Sequence, residues 1–67
     1  MNEERIAQMI TIASHLSRAQ GEVAHAAIAA HAAGFRRTHA DLVRLENDFR
    51  RSVAELNTAV AAERSNP

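Results

Sequence analysis

The residues of this chain best suited to bind a metal ion or to transfer a proton near neutral pH are its four histidines, His15, His25, His31 and His39. Two histidines of one helix can hold one metal ion when they are three or four residues apart, because both rings then share a face. Successive histidines here are ten, six and eight residues apart. The chain also lacks cysteine, which excludes disulfides and thiolate zinc sites. The sequence therefore predicts no metal site, no cofactor and only surface or interface roles for the histidines.

The arginines offer a second kind of chemistry, the binding of phosphate groups. Five of them lie on the side of the predicted second helix that faces away from its apolar residues: Arg36, Arg37, Arg44, Arg50 and Arg51. Acidic residues border these arginines, and eight basic residues balance eight acidic ones, so the net charge is zero. We expect a solvated face of neighbouring opposite charges, with RNA or DNA binding as the alternative.

No further pattern of catalytic residues is present. The sequence contains no nucleophile elbow, no phosphate-binding loop and no metal signature, so we expect the protein not to be an enzyme. The N-terminal residues lack the basic start and apolar block of a signal peptide, and no apolar run reaches the roughly 20 residues of a membrane span. We therefore expect a cytoplasmic protein that does not bind membranes.

The segment from Val23 to Phe35 organises the rest of the chain. It contains no Lys, Arg, Asp or Glu, and seven of its residues are alanine, the strongest helix former. A helix without charge on any side is usually covered on more than one side. We therefore expect this segment to lie in the middle of an oligomer or under a bound partner.

Apolar residues at alternating spacings of three and four predict a first helix over about residues 3–33. Asn2 is its expected N-cap, with Glu3 and Glu4 in the first turn, where the helix dipole favours acids. The predicted helix continues through Gly21 because the spacing keeps its phase there, and a kink at Gly21 is the alternative.

Glycine followed by an apolar residue is typical of a helix end, so Gly34 and Phe35 predict a turn over residues 34–37. Thr38, with Asp41 three residues later, then predicts the start of a second helix over about residues 38–63, with a frayed tail at 64–67. A turn this short makes the helices antiparallel neighbours. The apolar line of the second helix is predicted to consist of Leu42, Leu45, Phe49, Ser52, Leu56 and Ala59, broadened by Val53 and Val60.

The predicted fold is thus an all-α antiparallel helical hairpin. Fifteen of the apolar residues are alanine, and so small a chain usually needs a partner to complete its core. We therefore expect a homodimer that forms a four-helix bundle, with a coiled-coil-like core. The expected oligomer core consists of Ile6, Met9, Ala13, Leu16, Val23, Ala27, Ala30, Leu42, Leu45, Phe49 and Leu56.

Four further apolar residues do not belong to this core and are candidates for binding a protein partner: Ile10, Ile12, Ile28 and Phe35. The expected function is a small regulatory interaction protein, an adaptor or inhibitor that occupies a surface of a larger protein. Compact helical proteins of bacteria and their phages have this form, which is an analogy of fold only. A purely structural assembly subunit is a further alternative.

Overall fold

A computed structural model describes residues 2–65 as two α-helices, α1 (Asn2–Ala32) and α2 (Arg36–Ser65), joined by a three-residue turn. The two helices pack side by side as an antiparallel hairpin, and residues 2–65 include no strand. The predicted all-α hairpin is confirmed. α1 is one uninterrupted helix through Gly21, so the predicted continuity is confirmed as well.

The turn is built by backbone hydrogen bonds around Gly34, which has a φ of 83°. The amide of Gly34 donates to the carbonyl of His31 at 3.1 Å, and the amide of Phe35 donates to the carbonyl of Ala30 at 2.9 Å. These two bonds form a Schellman motif, which satisfies the last carbonyls of a helix and needs a left-handed residue at the position of Gly34. The predicted stop at Gly34 is confirmed.

The second helix begins earlier than predicted, at Arg36 instead of Thr38. The amide of His39 donates to the carbonyl of Phe35 at 2.9 Å, so the first turn of α2 is already closed when the chain reaches Thr38. The prediction that Thr38 and Asp41 form the start of the helix is therefore wrong. The compact motif at Gly34 reverses the chain within residues 33–35, and the helix starts as soon as the reversal is complete.

The outer ends of the helices also differ from the prediction. Asn2 is already the first helical residue of α1, and α2 reaches Ser65, so Arg64 and Ser65 are helical. The hydroxyl of Ser65 donates to the carbonyl of Ala61 at 2.9 Å. Arg5 Nε lies 2.7 Å from Glu63 Oε1, and this ion pair links the N-terminal part of α1 to the C-terminal part of α2. The rest of the tail predicted to fray, residues 66–67, lies outside the described residues.

The inward side of each helix follows an unbroken alternation of three and four residues. In α1 it consists of buried or half-buried residues at positions 6, 9, 13, 16, 20, 23, 27 and 30, as predicted. In α2 it consists of residues at positions 39, 42, 46, 49, 53, 56, 60 and 63. Leu45 lies beside this line, and 42% of it is exposed. Glu46 takes the inward position, where its carboxylate accepts a hydrogen bond from Arg50 Nη2 at 2.7 Å.

The core of the hairpin is thin. Its buried side chains are Met9, Ala13, Ala27, Ala30 and Val60, and no side chain in residues 2–65 is fully buried. The Cα atoms extend over 52 × 14 × 10 Å, with a radius of gyration of 15.3 Å. A compact domain of this length would have a radius of gyration of about 11 Å. Within residues 2–65, neither helix has a stretch apolar enough to cross a membrane.

Candidate interaction surfaces

The hairpin has two broad sides, one on each flank of the contact between α1 and α2. Ile10 and Asn57 line one shallow depression together with Ser17 and Val53, which shows that these residues of the two helices share a side. In an antiparallel pair of helices, equivalent flank positions of both helices lie on the same side. The positions directly beside the inward line of each helix are called flank positions below. They recur every seven residues and therefore divide into two sets, one for each side.

The first side, called the Leu45 face below, contains six flank residues: Ile12, Ala19 and Ala26 of α1, and Leu45, Ser52 and Ala59 of α2. None of them is charged. Ile12 is 49% exposed and Leu45 is 42% exposed, whereas Ala19, Ser52 and Ala59 are half-buried. This face thus presents two large apolar side chains, separated by small residues.

The opposite side, called the Ile10 face below, contains Ile10, Ser17 and Ala24 of α1, and Val43, Arg50 and Asn57 of α2. Ile10 is 43% exposed and Val43 is 36% exposed. The side chain of Arg50 is 60% exposed and pairs with Glu46 in the middle of this face. The Ile10 face therefore combines two apolar residues with a central ion pair and an amide.

Two of the predicted partner-binding residues lie outside both sets. Ile28 is 67% exposed and lies beyond the Ile10 face on the outer surface of α1, where Ala24 and Ala32 are its neighbours on the helix. Phe35 is 63% exposed and lies in the turn. These are the most exposed of the large apolar side chains in residues 2–65.

The five arginines named as nucleic-acid contacts are partly engaged by their own helix. Arg44 pairs with Asp41, and Arg50 pairs with Glu46. Arg51 Nη2 lies 3.7 Å from Asp48 Oδ1. Arg36 and Arg37 have no acidic partner within residues 2–65. The structure thus leaves only the first turn of α2 with unpaired positive charge from this set.

The hairpin brings together two histidines that sequence spacing had kept apart. The ring centroids of His31 and His39 lie 5.0 Å from each other across the turn, with the ring planes tilted by 47°. The sequence argument compared only neighbours on one helix, whereas these two rings meet between helices. Within residues 2–65, no group of three His, Asp or Glu side chains could hold a metal ion.

The residues expected in an oligomer core differ in how far they are buried in the single chain. Met9, Ala13, Ala27 and Ala30 are buried. Leu45 is exposed, as described above. The remaining members are half-buried, each with one side on the other helix and one side open: Ile6, Leu16, Val23, Leu42, Phe49 and Leu56. The inward position of Glu46 was missed, although the spacing of three and four residues that ends at Val60 and Glu63 passes through it.

Comparisons with models of protein families, with curated proteins and with solved structures give no match. A functional assignment for this chain therefore depends on its surfaces alone.

Proposed function

We propose that this chain is a non-enzymatic interaction protein, which pairs with a second copy to form a four-helix bundle and acts by occupying a surface of a larger protein. An adaptor or inhibitor in the cytoplasm of a bacterium or of a phage-infected host fits this description by analogy of fold. The partner of the bundle is a protein, and neither a cofactor nor a membrane takes part.

The observation that carries the proposal is the large surface of the hairpin. Its accessible area is 5161 Å² for a mass of 7.3 kDa. A compact monomer of that mass exposes about 4,200 Å². The excess of about 1,000 Å² is comparable with the roughly 800 Å² that each partner buries in a stable protein complex. Large apolar side chains contribute to this excess on both sides of the hairpin.

The thin core gives the second reason for a partner chain. Three of its five buried side chains are alanines, which contribute little apolar area. Large residues such as Leu16, Phe49 and Leu56 are not fully buried, so part of their apolar area remains in contact with water. A second copy would cover their open side, and a chain of this size generally needs such support.

The most exposed apolar residues indicate where a larger protein would bind. Ile28 and Phe35 lie outside both flank sets and are the most exposed large apolar residues of the described chain, so they are accessible to a larger protein. Large exposed apolar residues in a charge-free surrounding mark protein-binding surfaces, and helices often dock in such grooves. The segment around Ile28 has no charged residue between Glu22 and Arg36.

Sedimentation equilibrium tests the dimer, and thermal melting at several chain concentrations tests whether assembly and folding are coupled. We expect a mass of two chains at micromolar concentration and a melting temperature that rises with concentration. A compact single chain that melts cooperatively at a concentration-independent temperature would refute the proposal.

Retention of RNA and DNA at low and moderate salt separates this proposal from nucleic-acid binding. We expect no salt-sensitive retention, because Arg44 and Arg51 are already paired on their own helix. The informative variants are Arg44→Ala/Arg51→Ala and Arg36→Ala/Arg37→Ala, the second of which removes the arginines without acidic partners. Binding that weakens with salt and disappears in either double variant would replace the proposed function with the nucleic-acid alternative.

A further inference from the structure

We infer that the second copy packs on the Leu45 face, which leaves the Ile10 face in contact with solvent or with the larger protein partner. This inference depends on the proposed homodimer and selects one of the two sides of the hairpin for it. Two properties of the Leu45 face support the choice: its flank residues carry no charge, and large residues alternate with small ones along it.

Charge distinguishes the two sides. The six flank residues of the Leu45 face are Ile, Ala, Leu and Ser, whereas Arg50 lies at the centre of the Ile10 face. Covering the Ile10 face would remove water from the ion pair between Arg50 and Glu46, and desolvation of a pair often outweighs the attraction between its charges. On the Leu45 face a second copy would desolvate no charged flank residue. The acidic residues of the next row outward, Glu22, Asp41, Asp48 and Glu55, are exposed and would lie at the rim of the interface, where Asp41 and Asp48 have arginine partners on their own helix.

The order of residues makes the Leu45 face complementary to itself. Along the hairpin it forms three layers, in which Ile12 lies beside Ala59, Ala19 beside Ser52, and Ala26 beside Leu45. Each outer layer therefore has one large and one small residue, on opposite helices, and the middle layer has only small residues. Layers follow each other at intervals of about 10.5 Å, two turns of helix.

A two-fold axis through the middle layer matches large residues with small ones in both possible orientations. If the turns of the two copies lie at opposite ends, α1 packs on α1 and Ile12 meets the partner's Ala26, while Leu45 meets the partner's Ala59. If the turns lie at the same end, α1 packs on α2, and Ile12 meets the partner's Ala59 while Leu45 meets the partner's Ala26. Large residues that pack against alanine allow close approach of the helices without voids.

The available area agrees with one covered side. The excess surface of about 1,000 Å² over a compact monomer corresponds to one interface of standard size, in which each partner buries roughly 800 Å². This excess belongs to the hairpin as a whole, and it is large enough for one interface of standard size. The Ile10 face and Ile28 then remain for the larger protein.

Two matched pairs of variants test the side. Leu45→Lys and Val43→Lys place the same charge two residues apart on α2, at positions that are 42% and 36% exposed, but on opposite sides. Ile12→Glu and Ile10→Glu do the same on α1, at 49% and 43% exposure. We expect Leu45→Lys and Ile12→Glu to raise the dimer dissociation constant about 100-fold or more, because each dimer would bury two introduced charges in place of two apolar side chains. Val43→Lys and Ile10→Glu should change it less than about 3-fold.

Cysteine cross-linking provides a second readout that does not depend on the stability of a charged variant. The chain has no native cysteine, so Ala19→Cys and Ser52→Cys introduce single thiols into the middle layer. Self-cross-linking of either variant indicates turns at opposite ends, and cross-linking only between the two variants indicates turns at the same end. Both results support the Leu45 face. Ser17→Cys, on the Ile10 face, is the control and should not cross-link.

The outcomes separate this inference from the proposed function. A dimer that survives Leu45→Lys but dissociates in Val43→Lys, with Ser17→Cys cross-linking, would overturn the choice of face and leave the proposed homodimer intact. A wild-type protein that is monomeric at micromolar concentration would overturn both. Circular dichroism of each variant shows whether the helices persist, and loss of the dimer is attributed to the substituted face only where helicity is retained.

Discussion

The same substitution at the two glycines should have opposite effects on stability. Gly21 lies inside α1, and a Cβ atom built there has no atom within 4 Å outside the local backbone. Gly34 is equally open, but its φ of 83° lies in the left-handed region. Gly21→Ala therefore changes only the helix propensity, whereas Gly34→Ala also forces a Cβ atom into an unfavourable backbone conformation.

The magnitudes follow from these backbone differences. Alanine is more favourable than glycine by about 1 kcal/mol inside a helix, so Gly21→Ala should raise the free energy of unfolding by nearly that amount. An alanine in the left-handed region costs about 1–2 kcal/mol, so Gly34→Ala should lower it by a similar amount. For a domain of this size, 1 kcal/mol corresponds to a shift of the melting temperature of about 4–8 °C.

Thermal and urea unfolding followed by circular dichroism measure both effects, at one fixed chain concentration because assembly contributes to stability. The double variant should show nearly additive changes, since the two sites share no contact. A destabilising Gly21→Ala would mean that α1 bends at this residue or that another chain packs closely against it. An unchanged stability of Gly34→Ala would mean that the turn does not use the left-handed conformation, and the Schellman motif would be refuted.

Two further substitutions test the packing of the hairpin. Arg5→Ala removes the ion pair with Glu63, in which the side chains are 69% and 21% exposed, and should lower the free energy of unfolding by less than about 1 kcal/mol. High salt should abolish this effect, and the control Arg18→Ala should not show it. A loss that persists in about 1 M salt would show a packing role for Arg5. Met9 is 8% exposed, and Met9→Ala should lower the free energy of unfolding by about 2–3 kcal/mol in urea titrations. Ile28 is 67% exposed, and Ile28→Ala should change it by less than about 0.5 kcal/mol. Equal effects of the two substitutions would show that Ile28 is covered in solution.

Much of the fold could be predicted because two strong local signals agree. The alanine-rich, charge-free segment and the alternation of three and four residues both indicate a long helix, and Gly34 followed by Phe35 indicates its end. The start of α2 was predicted two residues late, since Thr38 and Asp41 resemble a capping box. A capping side chain is one of several ways to satisfy the first amides of a helix, and the backbone reversal at Gly34 closes the turn first.

The interaction surfaces were only partly predictable, because the side of a helix that faces a given neighbour depends on tertiary packing. Ile10, Ile12, Ile28 and Phe35 could be identified as apolar residues outside the main line, and the structure exposes all four. Their division between two sides and the outer surface needs the register of the hairpin, which periodicity within one helix does not contain. The approach of His31 to His39 was missed for the same reason.

The predicted inward line of α2 differs from the observed one at Leu45, and the reason for this difference bears on the dimer. Leu42, Phe49 and Leu56 belong both to the predicted line, which continues through Leu45, Ser52 and Ala59, and to the observed line, which continues through Glu46, Val53 and Val60.

A helix with two such overlapping lines has an apolar surface wider than one neighbouring helix can cover, and bundle helices with two neighbours have this pattern. The contact between α1 and α2 buries Val60 and leaves Leu45 exposed, while Ser52, Val53 and Ala59 are half-buried. If the second copy packs on the Leu45 face, the residue that was misplaced within the hairpin becomes a central contact of the dimer, and the apolar pattern of α2 is explained in full by two helix neighbours.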